Sequence, residues 1–270
     1  MSTNTPDLKG EIREFWDANT CGTGVTDQPR FSRQYFDDIE GYRYDTEPEI
    51  FSFAQFTRHH GQKMLEVGVG AGTDFVQWVR AGTQAHGIDL TPAAIAHVEH
   101  RLDVYGLKAA DIRVADAEAL PFEDGTFDLV YSWGVIHHSP DTEQALREIV
   151  RVTRPGGTCK IMIYNRHSLF AFLMWVKQAL FKGKPWRSRA WCLWHHVESK
   201  GTKAFTRAEV RQMLSRLPVG DARINTILTY SDRLMHSDPF RRAIANALAL
   251  ALGGRRAGWF MTIEFRKNAA

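Results

Sequence analysis

Three alternating glycines behind an apolar run constrain this chain more than any other feature. In Met64-Leu65-Glu66-Val67-Gly68-Val69-Gly70-Ala71-Gly72-Thr73-Asp74-Phe75 the apolar run predicts a strand and the glycines a tight turn. Phe75, Val76 and Val79 then predict the inward face of a helix. Glycine is needed where the main chain turns sharply or touches a ligand without a Cβ in the way. The helix that follows offers free N–H groups to a polar ligand. The spacing separates ligand classes. A dinucleotide fingerprint, G-x-G-x-x-G, requires glycine at position 73, where Thr73 stands. The pattern here is E-x-G-x-G-x-G, closing at Gly72.

The segments after the turn repeat one theme. Ala85–Leu90 reads as a second strand, and Thr91-Pro92 caps a helix that carries Ile95, Val98, Leu102 and Tyr105 and stops at Gly106. Asp111–Ala115 is a third strand. Phe127–Trp133 is a fourth, almost continuously apolar as a buried parallel strand must be. A helix over Asp141–Val152 is ended by Arg154-Pro155-Gly156-Gly157, and Thr158–Tyr164 gives the fifth strand. This alternation predicts an α/β, doubly wound parallel sheet, whose ligands bind outside the strand C-termini. Glu66, Asp89, Asp116 and Trp133 would meet on that rim. Asp89 can accept hydrogen bonds from ribose hydroxyls or cap the next helix. Asp116 can accept from an adenine amino group, with the next N–H, that of Ala117, open to a ring nitrogen.

The flanks read differently. Residues 6–18 form an amphipathic pattern with Leu8, Ile12, Phe15 and Trp16 on one face. An aromatic and charged segment, Phe31–Tyr44, and a helix beginning near Pro48 follow. Residues 1–60 are thus either a lid over a ligand or a segment docked on the core by its aromatics. Residues 166–204 leave the alternating pattern. Phe172, Trp175, Phe181, Trp186, Trp191 and Trp194 are interleaved there with Lys177, Lys182, Lys184, Arg187 and Arg189. Three readings are open: a cap over the substrate, a membrane-surface patch, or else plain core with solvated charges or a dimer contact. Thr206-Arg207-Ala208-Glu209 is a capping box. It opens a C-terminal part in which Arg223–Tyr230 and Trp259–Phe265 read as strands around a helix near Pro239–Leu252. The chain divides into 1–60, 61–165, 166–204 and 205–270.

Bulk properties exclude several classes. A net charge of +3 over 270 residues is too small to argue for nucleic acid. Cys21, Cys159 and Cys192 form neither a disulfide framework nor a C-x-x-C metal pair. With no basic, apolar leader at Met1–Asp7, a reducing, cytoplasmic setting is expected. No apolar run reaches spanning length.

With these segments placed, residues 60–165 resemble class I S-adenosylmethionine (SAM) dependent methyltransferases, within the broad group that includes the ubiquinone/menaquinone C-methyltransferases. The marks are Leu65–Gly72, Gly87-Ile88-Asp89, Ala115–Phe122, Phe127–Gly134 and Arg154-Pro155-Gly156-Gly157. The resemblance implies a Rossmann-like sheet of seven strands with the last antiparallel, an N-terminal helical lid and a helical insertion after strand five. It implies SAM as cofactor. Glu66 would lie by the methionine moiety, and Gly68, Gly70 and Gly72 by the amino-acid part and ribose. Asp89 would hold the ribose hydroxyls and Leu90 would pack on adenine. Asp116 and Ala117 would read the adenine edge, and the Trp133 carbonyl would face the amino group.

The chemistry such a donor needs is alignment, water exclusion and, for some acceptors, proton removal. His137 and His138, just past strand four, are the candidate bases. His195-His196-Val197-Glu198 lacks a third ligand at suitable spacing, so no metal is expected. Arg43 or Tyr35 would clamp the cofactor carboxylate. The acceptor expected is a small molecule or lipid-like compound, with 166–204 as the segment for any membrane contact. The rivals are another nucleotide-using enzyme of the same fold and a catalytically silent module. Thr73 opposes NAD, and the intact acidic and glycine set opposes silence.

Overall fold

The computed structural model describes residues 5–20, 22–233, 239–251 and 253–269. Cys21 and the end of the predicted helix at Leu252 lie outside the described residues. Seven strands form one sheet in the order β3-β2-β1-β4-β5-β7-β6. They are β1 (Lys63–Val67), β2 (Gln84–Asp89), β3 (Asp111–Val114), β4 (Phe127–Trp133), β5 (Thr153–Tyr164), β6 (Arg223–Ile227) and β7 (Phe260–Arg266). The first five are parallel, and β7 runs antiparallel to both β5 and β6. The fold is therefore the Rossmann-like α/β sheet that the alternation and the resemblance predicted.

Ten α-helices surround it among the described residues: α1 (Thr5–Ala18), α2 (Arg33–Thr46), α3 (Glu49–Ala54), α4 (Thr73–Arg80), α5 (Pro92–Tyr105), α6 (Thr142–Val152), α7 (Leu169–Trp175), α8 (Arg189–His196), α9 (Arg207–Leu214) and α10 (Pro239–Ala251). A π-helical turn, Val176–Leu180, extends α7. The predicted caps form. Thr91 accepts from Ala94 N at the start of α5, and Thr206 with Glu209 closes the full capping box of α9.

Strand alternation places alternate side chains in two cores, one on each face. Met64, Leu129, Tyr131, Trp133, Met162 and Tyr164 join Phe75 and Trp78 on one face. Leu65, Val67, Val130, Ile161 and Ile263 join Leu146 and Ile149 of α6 on the other. Two predicted boundaries differ. β5 begins at Thr153, so Arg154-Pro155-Gly156-Gly157 lies within the strand, at a register shift against β4. β6 ends at Ile227 because Asp232 draws the chain into a turn, accepting from Thr229 N, Thr229 Oγ1 and Trp259 N.

The N-terminal helices reach the sheet through a buried cation. Arg101 of α5 is fully buried. It donates to the Ala71 carbonyl and Thr73 Oγ1 at the glycine turn, and to the Phe36 carbonyl and Glu40 of α2. Its neighbour one turn earlier, His97, lies 3.2 Å from the Ala71 carbonyl and 3.1 Å from the Tyr35 hydroxyl. Removing one partner of such a set strands the others in a dry site. Arg101→Leu is expected to lower unfolding stability by about 3 kcal/mol, read by urea denaturation. A midpoint unchanged from the parent would show that the guanidinium does not hold α2.

Candidate active site

Parallel strands put their C-terminal ends on one rim, and the antiparallel β7 brings its first residue there, with Phe260 opposite Tyr164. A cavity of about 540 Å³ opens along this rim. That size suits a nucleoside-sized ligand with room beside it. Glu66, Gly68, Gly70, Asp89, Leu90, Asp116, Ala117, Trp133 and His138 all line it. Of the residues singled out from sequence, Gly72, His137 and Tyr35 are not among the lining.

The turn needs its glycines. Gly68, Gly70 and Gly72 all have positive φ, of 82°, 51° and 73°. A Cβ on Gly68 would collide with the Val135 side chain, and one on Gly72 would press on Val98 at 2.8 Å. Gly72 thus lets α5 pack against the turn from behind. Asp89 ties the turn to the end of β2: Oδ2 accepts from Gly70 N at 3.0 Å, and Oδ1 from Thr91 N and Oγ1. The capping role and the rim position therefore coexist in one carboxylate.

Glu66 projects from β1 into the wall of the cavity. It is 3% exposed and its Oε2 has no hydrogen-bond partner. Burial raises its carboxyl well above the ordinary range; Asp74 and Asp89 add to the rise and Arg43 opposes it. Asp74, at the first turn of α4, is fully engaged, accepting from Arg43, Tyr44 and Tyr131. Arg43 also reaches Glu47 at 3.3 Å, and Glu47 in turn accepts from Trp133 Nε1 at 2.7 Å. On the β3 side, Asp116 pairs with Lys9 of α1 at 2.6 Å and accepts from Glu118 N. A buried unpaired acceptor, a turn with glycine at alternate positions and two rim carboxylates form a set that fits a polar, partly cationic nucleoside ligand.

The adjacent histidines take different places. The His137 ring is fully buried, lies 3.9 Å from the Tyr164 ring and 4.2 Å from the His138 ring, and has no hydrogen-bond partner on either nitrogen. Burial pushes it well below the usual imidazole range, and His138 and Lys203 push the same way. Aromatic packing, then, sets its position. The His138 ring faces the cavity. Its Nδ1 is 3.1 Å from Ser199 Oγ and 3.1 Å from Thr202 Oγ1. Its Nε2 is 3.2 Å from Glu198 Oε2, near enough to pair though out of hydrogen-bond line. Glu198 is held by the Tyr164 hydroxyl, 3.0 Å from each carboxylate oxygen.

The run His195-His196-Val197-Glu198 is split between two surroundings. His195 stacks on Trp191 and binds its carbonyl. Glu198 instead joins His137 and His138, with donor atoms within 4.8 Å of one another. Lys9, Glu47, Asp74, Tyr164 and Glu198 are rim residues that sequence reasoning did not assign. Only Glu198 carried a signal, its place after paired histidines.

Sheet order, glycine turn and rim acids together define the class I SAM-dependent methyltransferase architecture. Residues 65–161 match the family described as a methyltransferase domain. The chain is 36% identical over 107 residues to phosphoethanolamine N-methyltransferase 2 of Caenorhabditis elegans, covering 39% of this chain and 24% of the relative. It is 37% identical over 123 residues to malonyl-[acyl-carrier protein] O-methyltransferase of Erwinia billingiae, 45% of each. The chain thus spans less than half the length of these curated relatives. Among solved structures, geranyl diphosphate C-methyltransferase from Streptomyces coelicolor shares the fold, with a TM-score of 0.65 at 14% identity, over 98% of this chain and all of that one. Residues 65–161 are thus similar to the methyltransferase domain, on a fold shared with SAM-dependent methyltransferases, and SAM is the cofactor of that class.

The buried Glu66 carboxyl makes a signed prediction. Its pKa is raised on folding, so its stabilising contribution is complete below the unfolded value, about 4.3, and is lost as pH rises through the folded value. Glu66→Gln is therefore expected to be more stable than the parent near neutral pH and above. The gap should close as pH falls toward that lower value. Urea unfolding across that pH range would read it, and a gap independent of pH would refute it.

Proposed function

We propose that the chain is a SAM-dependent methyltransferase that passes the sulfonium methyl by in-line displacement to a small-molecule or lipid-like acceptor. The observation that carries this reading is Glu66, buried with a free acceptor oxygen in a cavity bordered by the glycine turn, where Gly68 and Gly70 bring bare main chain to the lining. In this reading Glu66 receives the methionine ammonium and Arg43 meets the carboxylate. Gly68 and Gly70 admit the amino-acid end and the ribose, while Gly72 lets α5 back the turn. Asp89 takes the ribose hydroxyls, Leu90 packs on adenine, and Asp116 with Ala117 reads the adenine edge. The Trp133 carbonyl faces the methionine amino group.

Bound SAM supplies a methyl carbon already activated by its sulfonium. The chain supplies alignment, exclusion of water and, for an acceptor that carries a proton, its removal. His138 is placed for that removal, since it lines the cavity beside Glu198. His137 backs it as a positioning residue. Residues 1–60 and 166–204 serve as the two covers, because α1, the loop after it, α2 and the Glu198 segment all contribute lining residues. A lipid-like acceptor is favoured by Phe181 and Trp186, which are 81% and 77% exposed among Lys182, Lys184 and Arg187.

Calorimetric titration tests the reading. The demethylated product S-adenosylhomocysteine should bind and NAD should not. Asp89→Ala should weaken binding by about ten- to a hundredfold, as the loss of charge-assisted hydrogen bonds implies. Undiminished affinity in the folded variant would remove Asp89 from the site. Vesicle sedimentation tests the surface: Phe181→Ser with Trp186→Ser should abolish any co-sedimentation with anionic vesicles. Co-sedimentation equal to the parent would reassign those side chains.

A further inference from the structure

The end of the cavity away from β3 is both aromatic and anionic. Trp133, Tyr164 and Phe260 form one wall: Trp133 meets Phe260 edge-on at 5.7 Å, and Tyr164 lies parallel to Phe260 at 6.1 Å. A carboxylate is fastened to each side of this wall. Glu47, just past the end of α2, is held by the Trp133 indole N–H. Glu198, two residues beyond α8, is held by the Tyr164 hydroxyl. Glu198 is also a non-glycine residue in the left-handed region, at φ 52°. Its backbone accepts a disfavoured conformation while its side chain faces the site.

The cations near this cavity are committed elsewhere. Among the described lining residues the lysines and arginines are Lys9 and Arg43. Lys9 is shared by Asp116 and Glu118, and Arg43 by Glu47, Asp74 and, in the reading above, the methionine carboxylate. An acceptor phosphate or carboxylate would face Glu47 and Glu198 with no unshared cation to offset them. An ammonium would gain charge-assisted hydrogen bonds from both carboxylates and the π-faces of the wall. The two carboxylates already sense each other. Burial raises the Glu47 carboxyl above its ordinary range; Arg43 and Trp133 lower it, while Asp74 and Glu198 add to the rise. A positive group between them relieves that repulsion.

We propose that the acceptor taken here is an amine on an apolar body, bound as its ammonium between Glu47 and Glu198 and methylated on nitrogen. This rests on the methyltransferase reading above. The apolar body is met by Ile12, Trp16, Val25 and Met162, which line the same cavity. The ammonium loses one proton to His138 Nε2, and Glu198 balances the imidazolium formed. The freed nitrogen lone pair forms the N–C bond to the methyl carbon as the C–S bond breaks, and that electron pair returns to sulfur. The product is an N-methylammonium, held by the same carboxylates until release. His138 passes its proton to solvent.

The test is made on the full chain saturated with S-adenosylhomocysteine. Binding of 2-phenylethylamine, 2-phenylethanol and 3-phenylpropanoic acid is compared by ligand-observed NMR. The amine is expected to bind at least about tenfold more tightly than the alcohol, and the acid more weakly still. Glu198→Gln should remove the preference while leaving the affinity for S-adenosylhomocysteine unchanged. Should that variant not fold, Tyr164→Phe carries the same expectation, because it frees the Glu198 carboxylate. With SAM in place, the amine should yield its N-methyl product, and KM rather than kcat should rise in Tyr164→Phe. An alcohol or acid bound as tightly as the amine, an amine unbound at millimolar concentration, or an amine preference intact in both folded variants would overturn the proposal. Failure to bind S-adenosylhomocysteine would instead overturn the methyltransferase reading itself.

Discussion

The main-chain carbonyl of Ala71 is the acceptor on which the assembly turns. It sits between Gly70 and Gly72, both in the left-handed region, within the bend that borders the cavity. A buried carbonyl needs a donor, and the bend itself gives it none in the described hydrogen bonds. Arg101 fills the need, with His97 beside it, both from α5. A fully buried guanidinium then has its own demands, met by Thr73 and by Phe36 and Glu40 of α2. A bend shaped to admit a ligand thus recruits α5, and the charge used for that recruits α2. The N-terminal helices belong to the site for an electrostatic reason, not merely because their aromatics pack.

That chain of dependence also explains what could be read from sequence. The strands were legible because burial on both faces demands unbroken apolar runs, and the rim followed from topology once the strands were placed. Asp89 and Asp116 could be placed because each stands at a strand end. Thr91 and Thr206 were legible because a cap is a local event. Tyr35 was not: its hydroxyl was expected at the ligand and instead meets His97. Lys9 and Glu47 were out of reach for the same reason, and Glu198 was marked only by its place after paired histidines. Each acts through a partner far along the chain, Asp116, Trp133 and Tyr164 respectively. Nothing local marks a glutamate that will meet an indole across a cavity. The start of β5 was misplaced because Pro155, Gly156 and Gly157 carry the same letters in a bulged strand as in a loop.

The rim concentrates acids that burial holds in an unfavourable state. Glu47, Glu66 and Asp89 are each raised above the ordinary carboxyl range, with burial as the leading cause. Such groups oppose folding where no partner meets them, and a ligand that brings positive charge recovers that energy on binding. The sheet core beneath, with Tyr131, Trp78 and Phe75 fully buried, supplies the packing that tolerates these acids.

Sheet order has a consequence for how the polypeptide is made. β5 ends at Tyr164, yet its neighbour on one side, β7, begins only at Phe260. During synthesis the outer edge of β5 stands open while α7, α8, α9, β6 and α10 emerge. Its Cys159, Ile161 and Ile163 are fully buried once β7 arrives. A nascent chain paused in that interval presents an apolar strand with free backbone groups, the form most prone to pair with a neighbour. Lys160, tucked beneath α3 against the Phe53 carbonyl, places a charge within the apolar half of that strand.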